Sequence, residues 1–148
     1  MELALWRSVV IARWKQVPSV ADIRSMRELL RAELSKRRSP FAAMNFIEAR
    51  DATSFDESVR AEVAVTQREF ASQQAALATV IEGAGFFAAT VRGVATGVAL
   101  LARTSFPQRV FEHTDEAALW VASKLDDLGA SQAPTLVAAI ASLRRPAK

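Results

Sequence analysis

The chain has 148 residues, 51% of them hydrophobic, no cysteine, one histidine, and 19 basic against 16 acidic side chains for a formal net charge of +3. That length suits one domain burying roughly two thirds of its unfolded surface. The missing cysteine excludes disulfides, thiol catalysis and thiolate metal sites, and the single histidine excludes a two-histidine metal centre. The charge excess is too small for a nucleic-acid footprint, because a high isoelectric point here reflects arginines that do not deprotonate.

The N-terminal MELALWRSVV lacks a basic segment leading into a long apolar run and a small-residue cleavage site. We read no secretory signal in it and expect a cytoplasmic protein. Leu3 to Trp6 reads as a short strand hairpinned across Arg7-Ser8 onto Val9 to Trp14, a β-branched run suited to a buried strand. Val17-Pro18 ends that unit, and Ser19 can cap a helix whose inner stripe is Ile23, Met26, Leu30 and Leu34. Arg24, Arg27, Arg31, Lys36, Arg37 and Arg38 cluster along this helix and its exit. Asp22, Glu28 and Glu33 are interleaved, and Glu33 with Arg37 has the favourable i,i+4 order. The face reads as solvated, with an acidic-partner or phosphate-binding patch as the alternative.

Ser39-Pro40 breaks the chain before Phe41 to Glu48, an apolar run short enough for a central strand. After a polar loop, Ser54 and Glu57 form the S-x-x-E of a capping box. The helix it opens turns Val59, Val63, Thr66 and Phe70 inward and leaves Arg60, Glu62, Arg68 and Glu69 in water. Ala75 to Glu82 reads as a strand, Gly85 to Arg103 as a helix, and Gln108 to Glu112 as a short strand after Pro107. Thr114 then caps a helix over Asp115 to Leu128, with acids in its first turn suiting the helix dipole. Gly129 stops it. Pro134 to Leu143 forms a last helix that docks either on the domain or on another subunit.

The stretch from Ala75 to Thr104 invites two other readings. Between Gly83 and Ala102 the only charge is Arg92, so the length approaches that of a membrane span. An arginine at mid-bilayer would cost about 3 kcal/mol on insertion scales, and the periodicity changes from two to near 3.6 within the stretch. No transmembrane span is expected. Gly83-Ala84-Gly85-Phe86-Phe87-Ala88 formally satisfies the G-x-G-x-x-[GA] of a dinucleotide-binding turn. However, no acid follows until Glu112 and two phenylalanines would crowd the phosphate, so the glycines read first as architecture. Gly93 and Gly97 suggest close packing of the same helix, and Arg92 either snorkels or pairs with a carboxylate.

His113 precedes a helix cap and reads as structural or exposed. Asp51, Asp56, Glu57 and Glu62 converge on no shared centre, and Trp6, Trp14 and Trp120 read as core or interface anchors. No catalytic residue, metal site or cofactor emerges. Strands alternating with helices predict an α/β fold: a single domain with a four- to five-stranded mixed sheet, two N-terminal strands followed by alternating helix and strand, and about five helices. We expect the domain to span residues 1–128, followed by a C-terminal helix and tail over 129–148.

That element order resembles the STAS domain, the fold of anti-sigma-factor antagonists and of the cytosolic tails of sulfate transporters. The likeness covers Leu3 to Leu128. It is carried by Ile81-Glu82-Gly83 ending a strand, Gly85-Phe86 opening a helix that contains Arg92, and Arg109-Val110-Phe111 leading to Asp115-Glu116-Ala117-Ala118-Leu119-Trp120, a pattern of STAS-like bacterial proteins. The family's phosphorylatable serine lies in a D-S-x-G context at the start of the helix after the third strand. Ser54, in Asp51-Ala52-Thr53-Ser54-Phe55-Asp56-Glu57, occupies the comparable place without the glycine.

The resemblance implies a non-catalytic regulatory module that binds a protein partner through Arg50, Asp51, Thr53, Ser54, Asp56, Glu57 and Arg60, with Ser54 as the phosphosite. Two other expectations stand beside it. One is a small-ligand or nucleotide-binding protein using Gly83, Gly85, Phe86 and Arg92. The other is a structural homo-oligomer, a homodimer in its simplest form, assembled through the C-terminal helix.

Overall fold

A computed structural model describes residues 1–48, 55–82 and 102–144, with positions 89, 90, 93, 94, 97, 98 and 100 between them. The expected α/β architecture is present. Five strands, β1 (Glu2–Trp6), β2 (Val9–Trp14), β3 (Phe41–Ile47), β4 (Gln74–Val80) and β5 (Gln108–Phe111), form one sheet in sequential order. The β1–β2 pair is antiparallel, with Trp6 opposite Val9 across a tight turn in which Arg7 takes a left-handed φ of 51°. From β2 onward every pairing is parallel.

Four helices are delimited: α1 (Val20–Leu34), α2 (Glu57–Phe70), α3 (Thr114–Ala122) and α4 (Ala133–Leu143). The described positions from 89 to 100 and position 102 are helical as well. No helix among the described residues is long and apolar enough to cross a membrane. Ser19 caps α1 as expected, and Asp22 completes a capping box: Ser19 Oγ accepts from the Asp22 N–H (3.1 Å) while Asp22 Oδ2 accepts from the Ser19 N–H (2.8 Å). Satisfying free N–H groups at both positions fixes where the helix begins.

Side chains alternate between the two faces of the sheet. Val9 and Ile11, Ala42, Met44 and Phe46, Ala76, Ala78 and Val80, and Phe111 all point to the face covered by α3 and α4, where they join Ala117, Val121, Leu136 and Ile140 in one buried cluster. Alanines on both sides of this contact let the helices approach the strands closely. The last helix therefore docks on its own domain, through Ala133, Leu136 and Ile140.

The opposite face carries α1, α2 and the helical positions after 88. Here the described core is divided among four smaller clusters, around Val10 and Phe41, Trp14 and Ile23, Ala64 and Val98, and Ile81.

The basic stripe of α1 is exposed at Arg24, Arg31, Lys36, Arg37 and Arg38, as expected of a solvated face, but three of its arginines also reach across to α2. Arg31 grips Glu69 of α2 with Nε and Nη2 (2.7 and 2.9 Å), and Arg24 and Arg27 share Glu62 (2.6 and 2.8 Å). The Glu62 side chain is only 16% exposed and lies in a seam between the two helices, whereas Glu69 stays exposed at its end. Glu33 pairs with Lys36, and Arg37 instead donates to the Arg7 carbonyl (2.7 Å). The sequence spacing favours Glu33 with Arg37, but the β1–β2 turn offers that arginine a carbonyl acceptor.

Two helix starts also differ from expectation. The cap of α2 is Asp56, whose Oδ1 accepts from the Ser58 N–H (3.1 Å), rather than Ser54. The cap of α3 is His113, with no side-chain bond, because Thr114 directs its hydroxyl to Glu82 (3.1 Å). That helix ends at Ala122 rather than running to Leu128, although Leu125 and Leu128 remain buried in the turn beyond it.

Gly129 joins that turn to α4 with φ 69° and ψ 164°, a region open to glycine and closed to most other residues. A Cβ added there would meet nothing within 4 Å, so only backbone strain opposes a side chain. Gly129→Ala is expected to lower stability by about 1–3 kcal/mol in urea unfolding. An unchanged midpoint would show that the loop readily relaxes to another conformation.

Candidate functional site

The carboxyl ends of parallel strands are where an α/β sheet places its ligands and partners, because the crossovers leave crevices there. In this chain three acids follow three strands: Glu48 after β3, Glu82 after β4 and Glu112 after β5. Glu48 and Glu82 stand on the α4 side, and Arg144, just past the end of α4, reaches both, at 3.3 Å to Glu48 and 2.6 Å to Glu82. Arg13 of β2 binds Glu48 from the other side through Nε (2.7 Å) and also meets Glu2 (3.0 Å), which Lys15 contacts in turn (2.5 Å). The guanidinium of Arg144 lies over the Phe46 ring, 5.0 Å from its centroid.

This cluster fastens the end of α4 across the strand ends. Burial pushes the Glu48 carboxyl up, but hydrogen bonds from Arg13 and then Arg144 outweigh it and hold the group below its ordinary value. Glu82 is lowered chiefly by the Arg144 hydrogen bond. Carboxylates held ionised in this way suit an ion-pair latch better than proton transfer near neutral pH.

The second feature of the same edge is the start of α2. Asp56, Glu57, Ser58 and Arg60 are exposed there beside the half-buried Phe55. Of the residues singled out from the sequence, Asp56, Glu57 and Arg60 thus come together in one helical turn. Arg50, Asp51, Thr53 and Ser54, and likewise Gly83, Gly85, Phe86 and Arg92, lie outside the described residues.

Beneath this turn a cleft of about 100 Å³ runs between the sheet and the crossover helices. Its floor holds Asn45 of β3 and Thr79 of β4, neighbours in register, and Gln108 of β5. Gln108 is bonded to Gln67 of α2 (2.9 Å) and to Thr104 (2.9 Å). Trp14, Ile47, Phe55 and Val59 supply much of the apolar wall, and Arg60 stands at its edge. Among the described residues no group of three or more histidines, cysteines or acids could hold a metal ion.

Sequence reasoning missed both the latch and the cleft floor. Asn45 was visible as the one polar residue inside Phe41 to Ile47, and glutamate directly after two strands was visible too. Their convergence depends on sheet register and on a partner 96 residues away. No family model matches the chain, and neither a curated protein nor a solved structure matches it.

The latch has a pH signature. Because Glu48 and Glu82 titrate lower in the folded chain, their contribution is fully present above the ordinary carboxyl value of 4.5 and is lost as pH falls through the folded values. Arg144→Met keeps an apolar stem over Phe46 but removes the shared cation. It is expected to cost up to about 1 kcal/mol at pH 7, since Glu82 is half exposed and solvent screens the pair. The difference from the parent chain should shrink as pH falls below 4.5 and through the lowered folded values, where the carboxylates protonate. Urea unfolding at pH 7, 5 and 3 reads this directly, and a pH-independent difference would refute the latch.

Proposed function

We propose that this chain is a non-catalytic, cytoplasmic regulatory module that binds a protein partner through the start of α2 and the adjoining residues 50–54. The observation that carries this reading is the exposed polar turn of Asp56, Glu57, Ser58 and Arg60 at the carboxyl edge of the sheet. The charges of the neighbouring latch are matched internally, whereas this turn presents both signs of charge to solvent beside an aromatic side chain. The sequential mixed sheet, with its antiparallel first pair, is compatible with the STAS-like arrangement that suggested the site.

Phosphorylation of Ser54 would regulate such a surface without refolding the domain. A phosphate two residues before the Asp56 cap adds negative charge close to a helix start, where free N–H groups favour it. Asp56 and Glu57 oppose it by like-charge repulsion. The balance would reorganise the docking turn while leaving both faces of the sheet covered.

The test is affinity capture with the full chain, identification of the retained protein, and binding measurements on purified components. Glu57→Arg is expected to weaken the complex about tenfold or more, as reversal of a docking charge does. Ser54→Ala and Ser54→Asp should differ from each other in affinity. Equal binding by the parent chain and all three variants would rule out this surface.

A further inference from the structure

We infer that the cleft beneath α2 is a binding site for a small aromatic carboxylic acid bearing a hydroxyl group. The inference shares Phe55 and Arg60 with the partner-binding turn but uses none of residues 50–54, and its test reads a small ligand rather than a protein. It begins with the contrast between the two faces of the sheet. On the α3–α4 face the described buried side chains close into one cluster, whereas on the other face those of the described residues fall into four, and the polar pair Asn45 and Thr79 belongs to none of them. The gap between those clusters is the cleft.

Its size selects the ligand first. A dry protein cavity on the order of 150 Å³ is known to accept benzene, so the volume of about 100 Å³ here holds at most one ring, whose charged substituent would lie outside it by the exposed Arg60, and excludes a nucleotide or a long chain. The walls specify the ring further. Trp14, 4% exposed, and Phe55 offer aromatic surfaces, and Val59 and Val63 add aliphatic contact from α2. Aromatic side chains favour stacked or edge-on contact with another ring.

The polar groups then set the substituents. Asn45 and Thr79 sit side by side in register on the floor, and neither side chain hydrogen-bonds a described residue. Gln67 and Gln108, a few residues along the same cleft, satisfy one another instead. The floor pair therefore has donors and acceptors available for a ligand hydroxyl. Arg60 supplies the opposite end. It is exposed at the cleft edge and makes no ion pair with a described residue, whereas Arg13, Arg24, Arg27, Arg31 and Arg144 each hold a carboxylate. A guanidinium over an apolar opening is suited to a carboxylate.

Calorimetry on the full chain with 4-hydroxybenzoate tests the assignment, using benzoate and 4-hydroxybenzamide as comparison probes. 4-Hydroxybenzoate should bind and raise the unfolding temperature, and the uncharged amide should bind about tenfold more weakly. Arg60→Gln, a change at an exposed position, should weaken 4-hydroxybenzoate by about the same factor and leave the unliganded unfolding temperature unchanged. Thr79→Val should reduce the preference for 4-hydroxybenzoate over benzoate, because a site built to bond a hydroxyl discriminates against its absence. No binding of either acid at millimolar concentration would overturn the inference. So would Arg60→Gln binding as tightly as the parent chain, or a Val63→Phe protein of parent-like circular dichroism doing so.

Discussion

Everything in this fold follows from the strands being laid down in one direction. After the β1–β2 hairpin each strand joins the outer side of its predecessor, and the strands stay parallel. Right-handed crossovers that always advance the same way must place their helices on one face. That leaves the other face of a buried sheet bare, and the chain covers it only after β5, with α3 and α4. The C-terminal helix is thus half of a required layer, and its Ala133, Leu136 and Ile140 are buried accordingly.

Among the described residues the two layers meet the sheet differently. The α3–α4 pair packs on a surface in which Ala42, Ala76 and Ala78 leave room for close approach, and its buried side chains form one cluster. The crossover helices are tied at both ends to strands, and α1 and α2 are also tied to each other by arginine–glutamate pairs along their seam. Those ties keep the helices at positions set by strand spacing and charge pairing.

The strands were legible because burial on both faces demands continuous apolar runs, as in Val9 to Trp14 and Phe41 to Ile47. The Ser19 cap was legible for a different reason: its partner Asp22 is three residues away, so the whole interaction is local. What sequence reasoning misplaced was in each case governed by a distant or competing partner. Thr114 would serve as a cap in isolation, but Glu82, 32 residues earlier, takes its hydroxyl. Arg24 and Arg31 are exposed as their own helix suggests, and Arg31 also holds Glu28 locally, but the acids that Arg24, Arg27 and Arg31 reach on α2 lie 35 to 38 residues away. Ser54 and Asp56 are both capable caps two positions apart, and local pattern alone does not decide between them.

The same distinction accounts for the candidate site. A motif search finds chemistry that is contiguous, and it drew attention to glycines near 83 and to the polar stretch before α2. The described chemistry at the carboxyl edge is assembled from distant parts of the chain: Glu2, Glu48, Glu82 and Arg144. In a sheet of sequential order Arg144 meets the strand ends only because the final helix returns across the strands. Arg144 therefore couples the covering layer to the edge at which α2 begins. Displacing α4 would take Arg144 from both acids, leaving Glu48 with Arg13 and Glu82 with Thr114, and would lift the guanidinium from the Phe46 ring. The acids and bases of the latch neutralise one another, whereas the first turn of α2 has its charges directed to solvent.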